Sequence, residues 1–235
     1  MRILGIDTAT STASAALLEN GVIIADEIRL QPGVEHAEII LPLLESVFAK
    51  ARASISDLDG IAVSIGPGSF TGLRIGLSTV KGLAYGGQFL VVGISTLLAN
   101  AGRVADFDGL ICSMLDARKQ EVYASFFRRA SGVLTRLTED TIGSIHTVVD
   151  QARNLAHGES TLFIGEGAAV CRDALVSSLG AQMRFYRGDG YPSVASAVAR
   201  MGEQRLLHSD GDFLGSMVPV YLRLSEAETK RRELG

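Results

Sequence analysis

Asp7 and Asp116 each close an apolar run, Ile3 to Ile6 in the first case and Leu110 to Leu115 in the second. A carboxylate at the end of a strand can hold a hydrated cation, or accept the backbone N–H groups of the turn that follows. Two glycine corners, Gly66-Pro67-Gly68 and Gly165-Glu166-Gly167, each follow a further apolar run and lead into a helical pattern. Backbone N–H groups at such a helix start bind phosphate in many nucleotide sites. Asp7, Asp116, Gly165 and Gly167 are therefore the candidate positions for nucleotide contact. The first corner fits neither short phosphate-loop pattern. Thr71 stands where the second glycine of one pattern belongs, no Lys-Ser or Lys-Thr pair follows, and Gly72 falls one place late for Gly-x-Gly-x-x-Gly.

Other chemistries are weaker. Ala62-Val-Ser64-Ile-Gly66 is a relaxed nucleophile elbow with His208 downstream, but the strand pattern runs on through Ile65 and places the sharp turn after the serine. His36, His146, His157 and His208 have Ile40, Asp150, Thr161 and Asp212 four places on, so no His-x-x-x-His pair shares a helix face. His146 with Asp150 reads as a surface or capping pair. Cys112 and Cys171 have no Cys-x-x-Cys spacing and read as buried free thiols. No metal and no cofactor is expected.

The elements that must position these residues repeat. Ile3 to Asp7, Ala13 to Leu18 and Val22 to Ile28 read as strands, with a hairpin turn at Asn20-Gly21. An amphipathic helix over 35–51, interrupted or kinked at Pro42, precedes the strand and helix of the first glycine corner. A strand over 89–94 and a helix capped by Ser95 follow. The order then restarts: a strand ending at Asp116, a turn at Arg118-Lys119-Gln120, strands over 122–127 and 133–138 around Ser131-Gly132, a helix over 144–156, a strand before Gly165, and a helix over 168–179. Two βββαβα halves follow, 1–105 and 106–235, with the boundary near Gly102 to Asp108 and the last residues free to pack back on the first half. This order describes an α/β, duplicated actin-like ATPase (ribonuclease H-like, ASKHA) architecture.

The helix after the first corner carries glycine at 72, 76, 82 and 86. Each interior glycine costs about 1 kcal/mol relative to alanine, which close approach of another backbone can offset. That backbone belongs either to the chain's own sheet or to a partner. The partner account assigns the interface to His36, Ile40, Leu43, Leu44 and Val47 on one helix, and to Gly72, Leu73, Arg74, Gly76, Leu77, Val80 and Lys81 on the other.

The chain has 235 residues, 47% hydrophobic and 20% charged, which bounds it to one large or two small globular domains. With 22 basic and 26 acidic residues its net charge is −4, which argues against this chain alone gripping a nucleic-acid backbone. Arg128-Arg129 and Lys230-Arg231-Arg232 read as solvated surface charge. No apolar run approaches membrane-spanning length, and Asp7 comes too early for a signal peptide, so a cytoplasmic protein is expected.

Four segments resemble one family. Ile3-Leu-Gly-Ile-Asp7-Thr8, the run from Gly66 to Gly76 with Lys81-Gly82-Leu-Ala84, Asp116-Ala-Arg118 with Glu121-Val-Tyr123, and Pro219-Val-Tyr-Leu-Arg223 are similar to TsaB (YeaZ) proteins, in order and over essentially the whole chain. His36-Ala37-Glu38 with Leu41-Pro42 is similar to a His-Ser-Glu and Leu-Leu-Pro segment, with alanine where the family has serine. The resemblance implies a non-catalytic subunit of the bacterial machinery that forms N6-threonylcarbamoyladenosine at position 37 of tRNAs reading ANN codons. It implies pairing with the related transferase subunit TsaD, work with the small ATPase TsaE, homodimers when alone, and contact with tRNA only through the complex. The alternatives are a nucleotide-binding or nucleotide-hydrolysing protein of this fold acting alone, and a serine hydrolase using Ser64.

Overall fold

The structure is a computed structural model that describes residues 1–30, 36–87, 89–186, 193–208 and 211–223. β1 (Arg2–Asp7), β2 (Ala13–Glu19) and β3 (Val22–Arg29) form an antiparallel meander. Asn20 and Gly21 join β2 to β3 with φ of 49° and 80°, the left-handed pair that a two-residue hairpin between twisted strands requires. α1 (His36–Ala51) returns the chain to β4 (Gly60–Gly66), which is parallel to β1, and α2 (Phe70–Tyr85) leads to β5 (Leu90–Ser95), parallel to β4. The strand order is β3-β2-β1-β4-β5. α1 continues through Pro42, which lies on the exposed side, where water can meet the carbonyl that the missing N–H leaves free.

α3 (Thr96–Gly102) begins at Ser95, whose hydroxyl accepts from the Leu98 N–H. The second sheet then repeats the first. β6 (Gly109–Asp116), β7 (Glu121–Ala130) and β8 (Val133–Arg136) form the meander, with Ser131 and Gly132 left-handed at its second turn. After β9 (Thr141–Ser144) and α4 (Ile145–Ala156), β10 (Thr161–Ile164) lies parallel to β6 and β11 (Met183–Phe185) parallel to β10. Read from β8, the order β8-β7-β6-β10-β11 matches the first sheet strand for strand. The duplicated α/β fold stands.

Three details differ from the sequence reading. β9 is an extra strand returning along β7. The single helix expected over 168–179 is two, α5 (Glu166–Val170) and α6 (Arg172–Leu179), broken at Cys171. β11 and α7 (Val194–Leu206) were not anticipated. α7 carries few large apolar residues; alanine, serine and glycine let it lie flat on a sheet.

α7 matters most for the layering. It belongs to the second stretch of chain, yet it packs on β1, β2, β4 and β5 of the first sheet, joining Ile3, Leu18, Ala62 and Val92 in one buried cluster. α3 does the reverse: Leu97 and Ala101, with Val104 just beyond the helix, pack with Ile111, Phe127 and Leu162 of the second sheet. Each half's last helix therefore covers the other half's sheet, and α3 and α7 pack together between them. The opposite face of the first sheet is covered by α1 and α2.

Residues 217–223 add a second connection. Met217 is buried in the first core, the Val220 N–H donates to the Ile65 carbonyl at 2.7 Å, and Arg223 donates to the Ala117 carbonyl at 2.6 Å while pairing with Glu121. This strap reaches from the first glycine corner to the β6–β7 turn. Lys230-Arg231-Arg232 lie outside the described residues.

Candidate functional site

The first glycine corner is filled by the chain itself. The Ser69 N–H donates to the Ala9 carbonyl at 2.7 Å, and the Ser69 hydroxyl accepts from the Gly72 N–H to start α2. A Cβ on Gly72 would stand 2.0 Å from the Thr8 carbonyl oxygen, and one on Gly76 2.3 Å from Thr8 Oγ1. Gly66, with φ of 116°, would bring a Cβ to 2.6 Å from the Val220 carbonyl. The turn after β1 and the strap thus occupy the space in which a phosphate would meet these glycines. Of the two accounts, the own-chain one explains Gly66, Gly72 and Gly76. It does not explain Gly82, where an added Cβ would meet nothing within 4 Å.

The expected interface residues divide accordingly. Ile40, Leu43, Leu44, Val47, Leu77 and Val80 are buried in the core between the helices and the first sheet, and Leu73 is buried beside Gly66. Their assignment to a partner is corrected, as is that of Gly72 and Gly76. Each helix has one apolar stripe, and the sheet takes it. Arg74 is exposed and Lys81 half-buried, and both remain accessible. His36 opens α1, but its side chain lies outside the described residues.

Apart from Arg74, the outward face of the two adjacent helices is made of residues that the sequence reading did not assign to the interface. α1 presents Glu38, Leu41 and Glu45, with Leu41 56% exposed. α2 presents Thr71, Arg74, Ser78, Gly82 and Tyr85, with Tyr85 93% exposed. The signal was available as the complement of the buried stripe: positions 71, 74, 78, 82 and 85 recur at helical spacing between the apolar ones.

This face is held firmly. Phe70 and Tyr221 stack with centroids 4.6 Å apart, the Arg74 guanidinium lies 3.9 Å over the Phe70 ring, and Arg74 Nε donates to the Tyr221 hydroxyl at 2.9 Å. α1 is fixed to β3 by Glu27, whose carboxylate accepts from the Ser46 hydroxyl and pairs with Arg29 and Lys50, each at 3.0 Å. The Ser46 hydrogen bond chiefly, then Lys50 and Arg29, hold the Glu27 carboxyl down at about 2.

The nucleotide candidates are not brought to an open cradle. Asp7 is fully buried, near the Arg103 guanidinium; burial pulls the pKa of Arg103 down, and Tyr186, Asp7 and Asp26 push it back. Asp116 accepts the Arg118 N–H at 2.8 Å, as a turn residue does, and pairs with the Arg118 side chain at 3.4 Å. Gly165 and Gly167 give room to β6: a Cβ would stand 2.1 Å from the Met114 carbonyl and 2.7 Å from the Leu115 carbonyl carbon.

The Ser64 Oγ is buried within β4 and has no hydrogen-bond partner among the described residues, while His208 is exposed, so the hydrolase elbow is not assembled. His146 is exposed, and Asp150 pairs with Arg153. Cys112 is buried; Cys171, expected to be buried, is partly exposed because it sits at the break between α5 and α6. Among the described residues no group of three His, Cys, Asp or Glu is placed to hold a metal, and no helix is long and apolar enough to cross a membrane.

Comparison with known proteins places this arrangement. Residues 32–230 match the family model described as TsaD, tRNA N6-adenosine threonylcarbamoyltransferase. The tRNA threonylcarbamoyladenosine biosynthesis protein TsaB of Bacillus subtilis (strain 168) is 29% identical over 98% of this chain and 97% of its own. The TsaB of Escherichia coli (strain K12) is 39% identical over 55% of this chain and 56% of its own. Among solved structures, YeaZ from Pseudomonas aeruginosa superposes with a TM-score of 0.74 at 24% identity, covering 94% of this chain and 99% of that one. An ROK hexokinase from Thermus thermophilus shares the fold with a TM-score of 0.51 at 10% identity, covering 88% of this chain and 100% of that one.

Proposed function

We propose a role that proceeds from kinship: the chain belongs to the TsaB (YeaZ) family, within the wider family of threonylcarbamoyltransferase domains, and it serves as the partner-binding subunit in making threonylcarbamoyladenosine on tRNA. Its partner is the transferase subunit TsaD, the assembly works with TsaE, and tRNA is met through the complex. Alone, the chain pairs with a second copy through the same face. The transfer itself is TsaD's.

One observation carries this reading. Gly82 sits in the last turn of α2 on an exposed face, next to open space, beside the exposed Tyr85 and on the same helix as the clamped Arg74. A helix glycine with no neighbour of its own fits a surface that another chain approaches closely. Exposed Leu41 and Tyr85 supply apolar area, and Arg74 and Lys81 on α2 with Glu38 and Glu45 on α1 supply charge of both signs. The packed glycine corner supports the non-catalytic part, since its backbone N–H and carbonyl groups serve the chain's own turn and strap.

Reconstituted threonylcarbamoyl transfer to unmodified tRNA tests the reading. Transfer is expected with TsaD, TsaE and this chain together, and none with this chain alone. Turnover by the isolated chain, or full activity of TsaD and TsaE without it, overturns the assignment.

A further inference from the structure

Far from the α1–α2 face lies a groove of about 520 Å³ at the amino-terminal ends of the parallel strands β6 and β10, beside the end of β7. We propose that this groove binds a phosphate group. The inference goes beyond the subunit role above and does not depend on it.

Its starting point is Arg128-Arg129, which the sequence presents as solvated charge. Neighbouring strand residues face opposite ways, and here Arg128 is partly buried and Arg129 buried. Arg128 turns to α4, where it donates to Glu159 at 3.1 Å and to the Leu155 carbonyl at 3.0 Å. Arg129 turns to the α3 side with Phe127 and is only 9% exposed. Its Nη1 donates to the Gly132 carbonyl at 3.0 Å, but its Nε is buried without a hydrogen-bond partner, and no carboxylate among the described residues pairs with it. A buried guanidinium lacking a counter-charge is costly, and a bound anion removes that cost.

The surroundings suit such an anion. Gly109 stands opposite Arg129 in the ladder, and the Phe107 ring fills the place of its missing side chain, both residues lining the groove. Ser160 lines the same groove. Arg184 is registered with Leu162, which packs in the same cluster as Phe127, so Arg184 and Arg129 share a sheet face. Arg184 is exposed, lines the groove, and has no ion pair among the described residues. Glu159 and Asp108 also line it; the first is engaged by Arg128, and the second accepts the Ser131 N–H at 3.4 Å. Two planar guanidiniums and a hydroxyl lining one groove match a phosphate, whose several oxygens can meet all three, better than a carboxylate with two. The phosphate belongs either to a small molecule or to an RNA backbone.

The test uses the whole chain in phosphate-free buffer at fixed ionic strength. Orthophosphate is titrated against amide signals of Gly109 and Ser160, with sodium chloride as the control. Saturable binding is expected, weakened about tenfold by Arg184→Gln. Lys119→Gln, which removes the same charge at the opposite end of β6, is expected to leave it unchanged. Ser160→Ala serves as a second variant that does not disturb a buried charge. An unmodified tRNA transcript is then added. If Arg184→Gln weakens RNA binding and orthophosphate competes with it, the phosphate is RNA's; if RNA binding is absent or insensitive, it is a small molecule's. No saturable phosphate binding, or binding untouched by both Arg184→Gln and Ser160→Ala, overturns the proposal.

Discussion

At the scale of single residues, the glycines of α2 look alike in the sequence and act differently in the fold. Gly72 and Gly76 exist because Thr8 presses on them from the turn after β1. Alanine at 72 forces a methyl group against a carbonyl oxygen 2.0 Å away, and the expected loss is about 2–3 kcal/mol of stability in the isolated chain. Alanine at 82 meets no atom within 4 Å, so helix propensity alone raises stability by about 0.5–1 kcal/mol. On the proposed pairing with TsaD, the same Gly82→Ala change is expected to weaken binding, because the added methyl group stands on the surface the partner would approach. Urea denaturation of both variants, with calorimetric titration of TsaD into Gly82→Ala, checks the pair. A Gly82→Ala chain that binds TsaD as well as the parent would show that this glycine has no role at the interface. Substitution at Gly76 cannot serve as an interface probe, since it disturbs the monomer first.

At the scale of elements, α1 stays in place through its apolar stripe and through Glu27, and the second of these depends on pH. The folded state holds this carboxyl at about 2, against an ordinary value near 4.5. A depressed carboxylate pKa stabilises the fold above the ordinary value, and that contribution disappears as pH falls through the folded one. The contribution at neutral pH is about 1–2 kcal/mol once screening by solvent is allowed for. Glu27→Gln is therefore expected to be less stable than the parent at pH 7 and to converge with it between pH 5 and 2, as read by thermal melts across that range. Parallel stability curves for the two chains would remove Glu27 from the account. The sequence made most such elements legible, because alternation and hairpin turns such as Asn20-Gly21 are local signals. It hid α7, a helix of small residues whose partners lie in the other half, and it left β11 unmarked because three residues carry no period. The site was only half legible for a related reason. Apolar spacing on α1 and α2 shows that a stripe exists, but the sheet that claims it is assembled from distant strands.

At the scale of the molecule, the two halves are tied by exchanged helices and by the strap. α3 and α7 each complete the other half's core, so rotating one half against the other would open both. The strap acts at the far side, linking the first glycine corner to the β6–β7 turn, where Arg118, Lys119 and Gln120 all have positive φ, at 62°, 51° and 61°. Non-glycine residues in that region persist only when their surroundings hold them, and Arg223 supplies two of the restraints, on Ala117 and Glu121. The strap also carries Tyr221, which fixes Arg74 on the outward face of α2. The proposed subunit role requires that face to be held in one arrangement, because only differential affinity shifts a partner's conformation. Arg223→Ala should then loosen both ends of the strap together. The expected loss is about 1–2 kcal/mol, from a half-exposed ion pair plus a charge-assisted hydrogen bond. Amide exchange is expected to rise both at 117–121 and at the first turn of α2, although the latter lies in the other half. Arg223→Lys, which keeps the charge but not the fork, should recover only part of the protection. Faster exchange confined to residues beyond 217 would mean that the strap is a passenger on a body whose rigidity comes from α3 and α7 alone.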